Sequence, residues 1–576
     1  MNKRIRNLLS VVLALCMLLM SFAVAYAAGE YDGKTVILHT NDVHGAIDMY
    51  AYISGIKKDF EAKGAEVILA DAGDYMQGTS YVSLSKGANA VSMMNLAGYD
   101  VATVGNHEFD YGCENLLKQL ENAEFSVICS NVFSENKAVF DSNYIYTSSN
   151  GMKVGFFGLV TPETQTQTNP AMIKGLTFSS NEALYELARQ EVNALSDADV
   201  VICLSHLGVN SSSTPNRSLD VYKNVDGIDF MIDGHSHTVM AAGTGGEKIQ
   251  STGTGLKNIG VVVIDESKKA VEDNYLIPID EKCPCDEAVK AVSDGYIAEI
   301  QKEYGQVFAK SEVELNGERA PGNRTKETNL GDLIADSMRN AVIKQDDSLK
   351  VPESNVVAVT NGGGIRDYLH KGDITKNDVN TVLPFGNTIC VVYVTGEELL
   401  EALEASTFDT PNAVGGFPQV SGMSYTIDAY KKYDAREETY PNSTFYGPKT
   451  IQRVTINEIG GNSFDKNAVY AVVTNDFCAA GGDTYYAFAS AASQYDTGLP
   501  MDEVLMSYIT DELGGVIGKD YAKPQGRITI TTRFPKGLTA IFEKLTTWLK
   551  AFYDKYLDEL VNKILAFASR VLIISR

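Results

Sequence analysis

Basic residues and cysteines are both scarce in this 576-residue chain. Lys and Arg number 49 against 74 Asp and Glu, for a net charge of −25. Such a balance repels nucleic-acid backbones and excludes a general DNA- or RNA-binding role. Small anionic substrates stay open, because a bound metal inverts the local potential. Eight cysteines are too sparse for a disulfide framework. Cys283-Pro284-Cys285 is too close in sequence for an ordinary bridge and lacks the second pair that a zinc site would want. There is no internal repeat. Hydrophobic residues at 44% and charged residues at 21% are ordinary globular values, so disordered and fibrous architectures are out. At ~100–200 residues per domain, the length suits two or three domains.

The two ends differ from the middle. Lys3, Arg4 and Arg6 precede an apolar run, Leu8 to Val24, that ends in Ala25-Tyr26-Ala27. That is the order of a secretory signal peptide over residues 1–27, and it predicts an exported protein that is extracellular, at the cell surface or periplasmic. Its removal would take away three basic residues and Cys16, moving the charge from −25 to −28 and leaving seven cysteines. Beyond Phe534-Pro535, Leu538, Ile541, Phe542, Leu545, Trp548, Leu549, Phe552, Tyr556, Leu557, Leu560 and Ile564 follow helical spacing. Residues 534–576 therefore read as an amphipathic helical tail. It packs on its own protein or a partner, or it associates with a cell or membrane surface.

Between these ends, β-branched runs alternate with helical patterns. Thr35–Leu38, Val67–Leu69, Val101–Val104, Val200–Cys203 and Phe230–Ile232 read as buried strands of an α/β domain spanning 28–285. A helical connector follows at 286–310. A second, strand-rich domain occupies 311–533, punctuated by glycine turns.

Each of those five runs leads into polar residues. They are Asp42 and His44, Asp74, Asn106 and His107, His206, and finally His235 and His237. Loops at the carboxyl ends of strands converge on a crevice, so these side chains are expected to meet. Imidazole, carboxylate and amide oxygen together suit Zn, Mn, Fe or Co. The seven candidate ligands Asp42, His44, Asp74, Asn106, His206, His235 and His237 suffice for two divalent metals sharing one carboxylate. Such a pair serves in-line displacement at phosphorus. His39 is expected in a strand near this site, and His370 at the surface.

Asp42-x-His44, Gly73-Asp74, Gly105-Asn106-His107-Glu108, His206 and Gly234-His235-x-His237 resemble the calcineurin-like metallophosphoesterase signature. The resemblance implies a layered β-sheet core flanked by helices. One metal would sit on Asp42, His44, Asp74 and His237; the second would sit on Asp74, Asn106, His206 and His235. It makes His107 a catalytic residue that contacts the substrate phosphate, and Asp110 the carboxylate that orients and charges it.

Asn361-Gly362-Gly363-Gly364-Ile365-Arg366, Pro384-Phe385-Gly386-Asn387 and Asn475-Asp476-Phe477 leading to Gly481-Gly482-Asp483 resemble the C-terminal domain of bacterial 5′-nucleotidases. Together the two resemblances cover roughly residues 34 to 530. The second implies a mixed α/β nucleotide-binding domain in which Phe385 and Phe477 sandwich the base. Asp483 would hold the ribose and Asn387 would lie near the base. Arg324 and Arg366, with Asn361 beside them, would meet phosphate or ribose oxygens.

The function implied is an exported phosphohydrolase acting by in-line attack of a metal-activated hydroxide. It would remove the 5′-phosphate of nucleoside monophosphates, and would extend to di- and triphosphates and UDP-sugars. Two alternatives stand beside it. One is a 2′,3′-cyclic-nucleotide phosphodiesterase with 3′-nucleotidase activity, against which Asp110, Phe385 and Phe477 argue. The other is a non-catalytic secreted binding or adhesion protein, against which the complete ligand set argues.

Overall fold

Alternation within one strand organises the first domain of the computed structural model. The model describes residues 29–532 except 171, 211, 212, 346–348 and 442. In Lys34–Thr40, Val36 and Leu38 face one core while Ile37 faces another. Glu66–Asp71 repeats this, with Val67 and Leu69 opposite Ile68. In Val200–His206, Ile202 and Leu204 share the core of Ile37, and Val201 and Cys203 turn away from it. A period of two with both faces apolar is what a strand buried on both sides requires.

Two six-stranded sheets result. The first runs Ala270–Pro278, Asn258–Asp265, Lys34–Thr40, Glu66–Asp71, Val101–Ala102 and Ser126–Val127. The second runs Val239–Met240, Ile249–Thr252, Phe230–Asp233, Val200–His206, Lys153–Val160 and Asn143–Thr147. Their inner faces share one core, which includes Ile37, Ile68, Val154, Phe156, Ile202, Phe230 and Val262. Each fully buried side chain of this kind contributes about 1.5–3 kcal/mol. Helices Tyr50–Ala62 and Ala88–Ala97 cover the outer face of the first sheet, and Glu182–Ala194 covers that of the second. The expected layered core flanked by helices is what the structure has.

Strands Lys34–Thr40, Glu66–Asp71 and Val101–Ala102 are parallel, as are Lys153–Val160, Val200–His206 and Phe230–Asp233. The loops that leave their carboxyl ends carry the candidate ligands. The run Val101–Val104 pairs only over Val101–Ala102 before it turns into such a loop.

Helix Glu287–Tyr304, capped by the Asp286 side chain, packs back onto the first domain through Val289, Val292, Tyr296 and Ile297. The second domain is built on a five-stranded mixed sheet ordered Pro418–Ser421, Val356–Asn361, Val469–Asn475, Thr388–Thr395 and Ser493–Pro500. Helices Asn329–Gln345 and Met501–Ser507 cover one face, and helix Gly396–Ser406 covers the other. Among the described residues no helix is long and apolar enough to cross a membrane. The expected signal peptide and the tail 534–576 lie outside the described residues. The seven described cysteines are all free thiols.

Candidate functional site

Five loops bring the candidate ligands together, and their backbones are fastened to one another first. The Asp42 amide donates to Gly73 O at 2.9 Å and the His44 amide to Asp74 O at 3.1 Å. The amides of His235 and His107 donate to the carboxylates of Asp42 and Asp74 at 3.1 and 2.9 Å. Asn41 pins Asp42 by donating to its carboxylate at 2.7 Å while accepting from Thr252. Glu108 is fully buried and accepts four backbone amides, those of Asp74, Tyr75, Met76 and Gly105, at 2.5–2.9 Å. It thereby sets the loop that presents Asp74. Glu108→Ala is expected to cost about 3 kcal/mol, because buried amides left unpaired carry a desolvation penalty of ~1–3 kcal/mol each. A fall in Tm with loss of bound metal checks this; an unchanged Tm would refute it.

Backbone strain concentrates here. Twelve described non-glycine residues have positive φ, and Asp42, His44, Asp74, His235, His237 and Asp483 are six of them. Each such position costs of order 1–3 kcal/mol and persists only where surrounding contacts over-determine it. Gly105 shows how close the loops run, since a Cβ there would lie 2.2 Å from Asp74 Oδ1.

Among the described residues, two triads have ligand atoms close enough to share an ion: Asp42–His44–His237 and Asp42–Asp74–His206. Asp74 Oδ2 lies 3.6 Å from His44 Nε2 and 3.1 Å from His206 Nε2, so this carboxylate touches one imidazole of each triad. His44 Nε2 and His237 Nε2 are 3.1 Å apart. Asn106 Oδ1 is 3.0 Å from His235 Nδ1, and the rings of His235 and His206 lie 5.4 Å apart. All seven expected ligands are therefore in one cluster.

The cluster fits a cation on its own chemistry. His206 Nδ1 donates to Ala72 O at 2.6 Å, which fixes the tautomer and points the Nε2 lone pair at the Asp74 carboxylate. That nitrogen is fully buried without a hydrogen-bond partner. Two electron-rich atoms 3.1 Å apart call for a positive charge between them. Burial opposes a charged His206, yet Asp74 and Asp42 carry it up to about 10, so a proton on Nε2 and a metal ion compete for that place. Burial likewise opposes Asp74, yet the neighbouring imidazoles hold it well below the carboxylate range. Asp42, where burial dominates, rises to about 7. Burial drives His44 and His237 well below their ordinary value, which leaves their lone pairs free for coordination.

His107 stands beside this cluster, its Nδ1 2.7 Å from Asp110 Oδ2. Burial lowers its basicity, but the charges of Asp110 and Asp74 outweigh that and raise it. Its ring stacks on Phe385 of the second domain at 5.5 Å, and Arg366 lies over the Phe385 ring at 5.6 Å. Arg324 and Arg366 line the same cavity as Phe385 and Phe477. Burial and the repulsion of Arg319 and Arg366 push Arg324 well below its ordinary value. An anion would relieve that repulsion. Asn361 donates to Asp483 at 2.9 Å, and Asn387 donates to Asp476 at 2.7 Å. Asp476 also accepts from Asn169 of the first domain at 2.8 Å, and the Asp483 amide donates to Thr166 O.

Glu163 and Arg319 line the cavity and escaped the sequence reading. Glu163 Oε2 lies 3.1 Å from His235 Nε2. It follows the carboxyl end of strand Lys153–Val160, so the strand-end register that located the other residues was the signal available. Arg319 joins Arg324 and Arg366 at the cavity, and nothing local to its sequence marks it. His39 sits in a strand beside Gln250, and His370 is exposed beside Glu314, as expected.

Comparison with known proteins accords with this geometry. Residues 35–239 match the calcineurin-like phosphoesterase family, and residues 307–490 match the 5′-nucleotidase C-terminal domain. The trifunctional nucleotide phosphoesterase protein YfkN of Bacillus subtilis (strain 168) is 32% identical over 546 residues, 85% of this chain. The chain spans 34% of that protein's length. A 5′-nucleotidase of Vibrio cholerae is 27% identical over 86% of this chain and 93% of its own. The crystal structure of a 5′-nucleotidase precursor from Thermus thermophilus superposes with a TM-score of 0.73 at 28% identity, over 87% of this chain and 100% of the other. With both domains matched in this order on one metal-binding cleft, the chain belongs to the two-domain 5′-nucleotidase family of calcineurin-like phosphoesterases.

Proposed function

We propose that this protein is an exported phosphohydrolase that removes the 5′-phosphate of nucleotides. One observation carries the reading. A single cavity of about 830 Å³ is lined on one side by Asp74, Asn106, His107, His235 and His237, and on the other by Arg324, Arg366, Phe385, Phe477 and Asp483. That size and mixture of polar and aromatic walls suit a small ligand. Asp42, His44, Asp74 and His237 would hold one divalent ion, and Asp74, Asn106, His206 and His235 a second. Such ions supply an activated water and neutralise phosphate charge.

The chain's own groups do the rest. Arg324, Arg366 and Arg319, all half-buried, bind phosphate oxygens in a positively charged wall. Phe385 and Phe477 hold the base, and Asp483 accepts from ribose hydroxyls. Protonated His107, kept charged by Asp110, stabilises the departing oxygen. The N-terminal order of charge, apolar run and small residues supports export.

The test is phosphate release from AMP, 3′-AMP, 2′,3′-cyclic AMP, ATP and UDP-glucose side by side with Mn or Zn. Fast turnover of AMP with little of 3′-AMP is the expected result. Preference for cyclic and 3′ substrates would move the protein to that alternative.

Asp483 adds a pH signature. Burial raises its carboxyl to about 6, while Asn361 and Arg324 oppose the shift. It is charged above that pH and neutral below it. The KM for AMP is therefore expected to rise as pH falls through about 6, and Asp483→Asn is expected to flatten that rise. A KM profile on both sides of that pH checks it, and an identical profile in the variant would remove Asp483 from substrate binding.

A further inference from the structure

We infer that Glu163 is a positioning residue for the metal cluster: its carboxylate fixes the proton of His235 on Nε2 and so turns Nδ1 toward the second ion. The inference rests on the two-ion reading above. Of the four imidazoles in the cluster, three face it through Nε2. His44 and His206 bring Nε2 to 3.6 and 3.1 Å from Asp74 Oδ2, and His237 brings its own to 3.4 Å from Asp42 Oδ1. His235 is turned the other way. Its Nδ1 lies 3.0 Å from Asn106 Oδ1, and its Nε2 lies 3.1 Å from Glu163 Oε2.

Both neighbours of that ring are oxygens, and a neutral imidazole has one proton to donate. A carboxylate attracts it more strongly than an amide oxygen does. The proton therefore sits on Nε2, and the Nδ1 lone pair is left facing Asn106 Oδ1 across 3.0 Å. Two lone pairs at that separation call for a cation between them, as at His206 and Asp74. Without Glu163 the ring is free to carry its proton on Nδ1, where it would donate to Asn106 and shut the ion out.

The carboxylate is itself held. Gln167 donates to the same oxygen at 2.8 Å, and the amides of Thr166 and Gln167 donate to Glu163 O at 2.8 and 2.7 Å. The segment that carries it also touches two other residues assigned to the second ion. Thr161 N donates to His206 O at 2.8 Å, and the Thr168 hydroxyl donates to Asn106 O at 2.8 Å. Its far end is fastened to the second domain, where Asn169 donates to Asp476. A glutamate side chain only 17% exposed and tied in this way keeps the orientation that His235 needs.

The test is metal binding by the full-length protein, stripped with a chelator and titrated calorimetrically with Mn. The wild type is expected to take two ions. Glu163→Ala is expected to hold one of them about 10–100-fold more weakly and the other unchanged, with Tm preserved. Glu163→Gln, whose carbonyl still accepts from Nε2, is expected to lose less. Histidine ¹⁵N spectra of the Zn-loaded wild type are expected to show one imidazole bound through Nδ1, a signal that Glu163→Ala loses. Two ions held at wild-type affinity in Glu163→Ala, or an equal weakening of both, overturns the positioning role while the two-ion site stands. A wild type that binds no metal removes both readings.

Discussion

Asp74→Asn is expected to remove metal binding and lower kcat on AMP by about 10³–10⁴-fold, since metal stabilisation of phosphoryl charge amounts to several kcal/mol and each ~1.4 kcal/mol is ten-fold. The reason is its position. Asp74 Oδ2 is 3.1 Å from His206 Nε2 and 3.6 Å from His44 Nε2, while Oδ1 accepts the His107 amide. One carboxylate thereby serves both halves of the cluster and the loop that carries His107. An amide has the same shape but no negative charge to place between the imidazole lone pairs. Dialysis of the wild-type enzyme against a chelator is expected to reproduce the loss, with activity restored by Mn or Zn. Metal content by elemental analysis, read beside the rate, is the check. An Asp74→Asn enzyme that kept full metal and a tenth of its rate would show that Asp42, common to both triads, is the shared ligand instead.

His107→Ala is expected to lower kcat by about 10²–10⁴-fold, the usual range for a positioned acid–base group, with metal content intact. His107 reaches the cavity from the residue after Asn106, and its imidazole is aligned by Asp110 at 2.7 Å and by the Phe385 ring at 5.5 Å. It donates to nothing in the metal cluster except through its backbone, so the ions should stay when the ring is removed. Asp110→Asn is expected to cost less, about 10–100-fold, because it alters only the orientation and charge of the imidazole. Separate kcat and KM values distinguish these effects from a loss of binding. A His107→Ala enzyme with an unchanged kcat would exclude the imidazole from the reaction.

The metal cluster was legible because strands announce themselves. In Thr35–Leu38 and Val200–Cys203 the apolar runs are unbroken, and the polar residues just beyond them have to sit at strand ends. Glu108 was visible as a letter of its motif, but not as an acceptor of four amides, because those donors come from two loops that are distant in sequence. Glu163 obeyed the same strand-end register and was overlooked beside the imidazoles. Arg319 had no signal at all, since its role depends on how the turn before Arg324 faces the other domain. Phe408, Tyr433 and Phe445 drew no reading from the sequence, and only their half-buried places on the cavity wall set them apart.

The sequence alone determined the strand pattern, the donor chemistry and the order of the two domains, since all three follow from local periodicity and residue type. The tertiary structure decided which electrons face each other. Positive φ at Asp42, His44, Asp74, His235 and His237, an orphaned His206 Nε2, and three guanidiniums in one cavity arise only where distant loops are fastened together. Charge and strain are properties of neighbours in space, and residues that far apart in the chain become neighbours only once both sheets are packed.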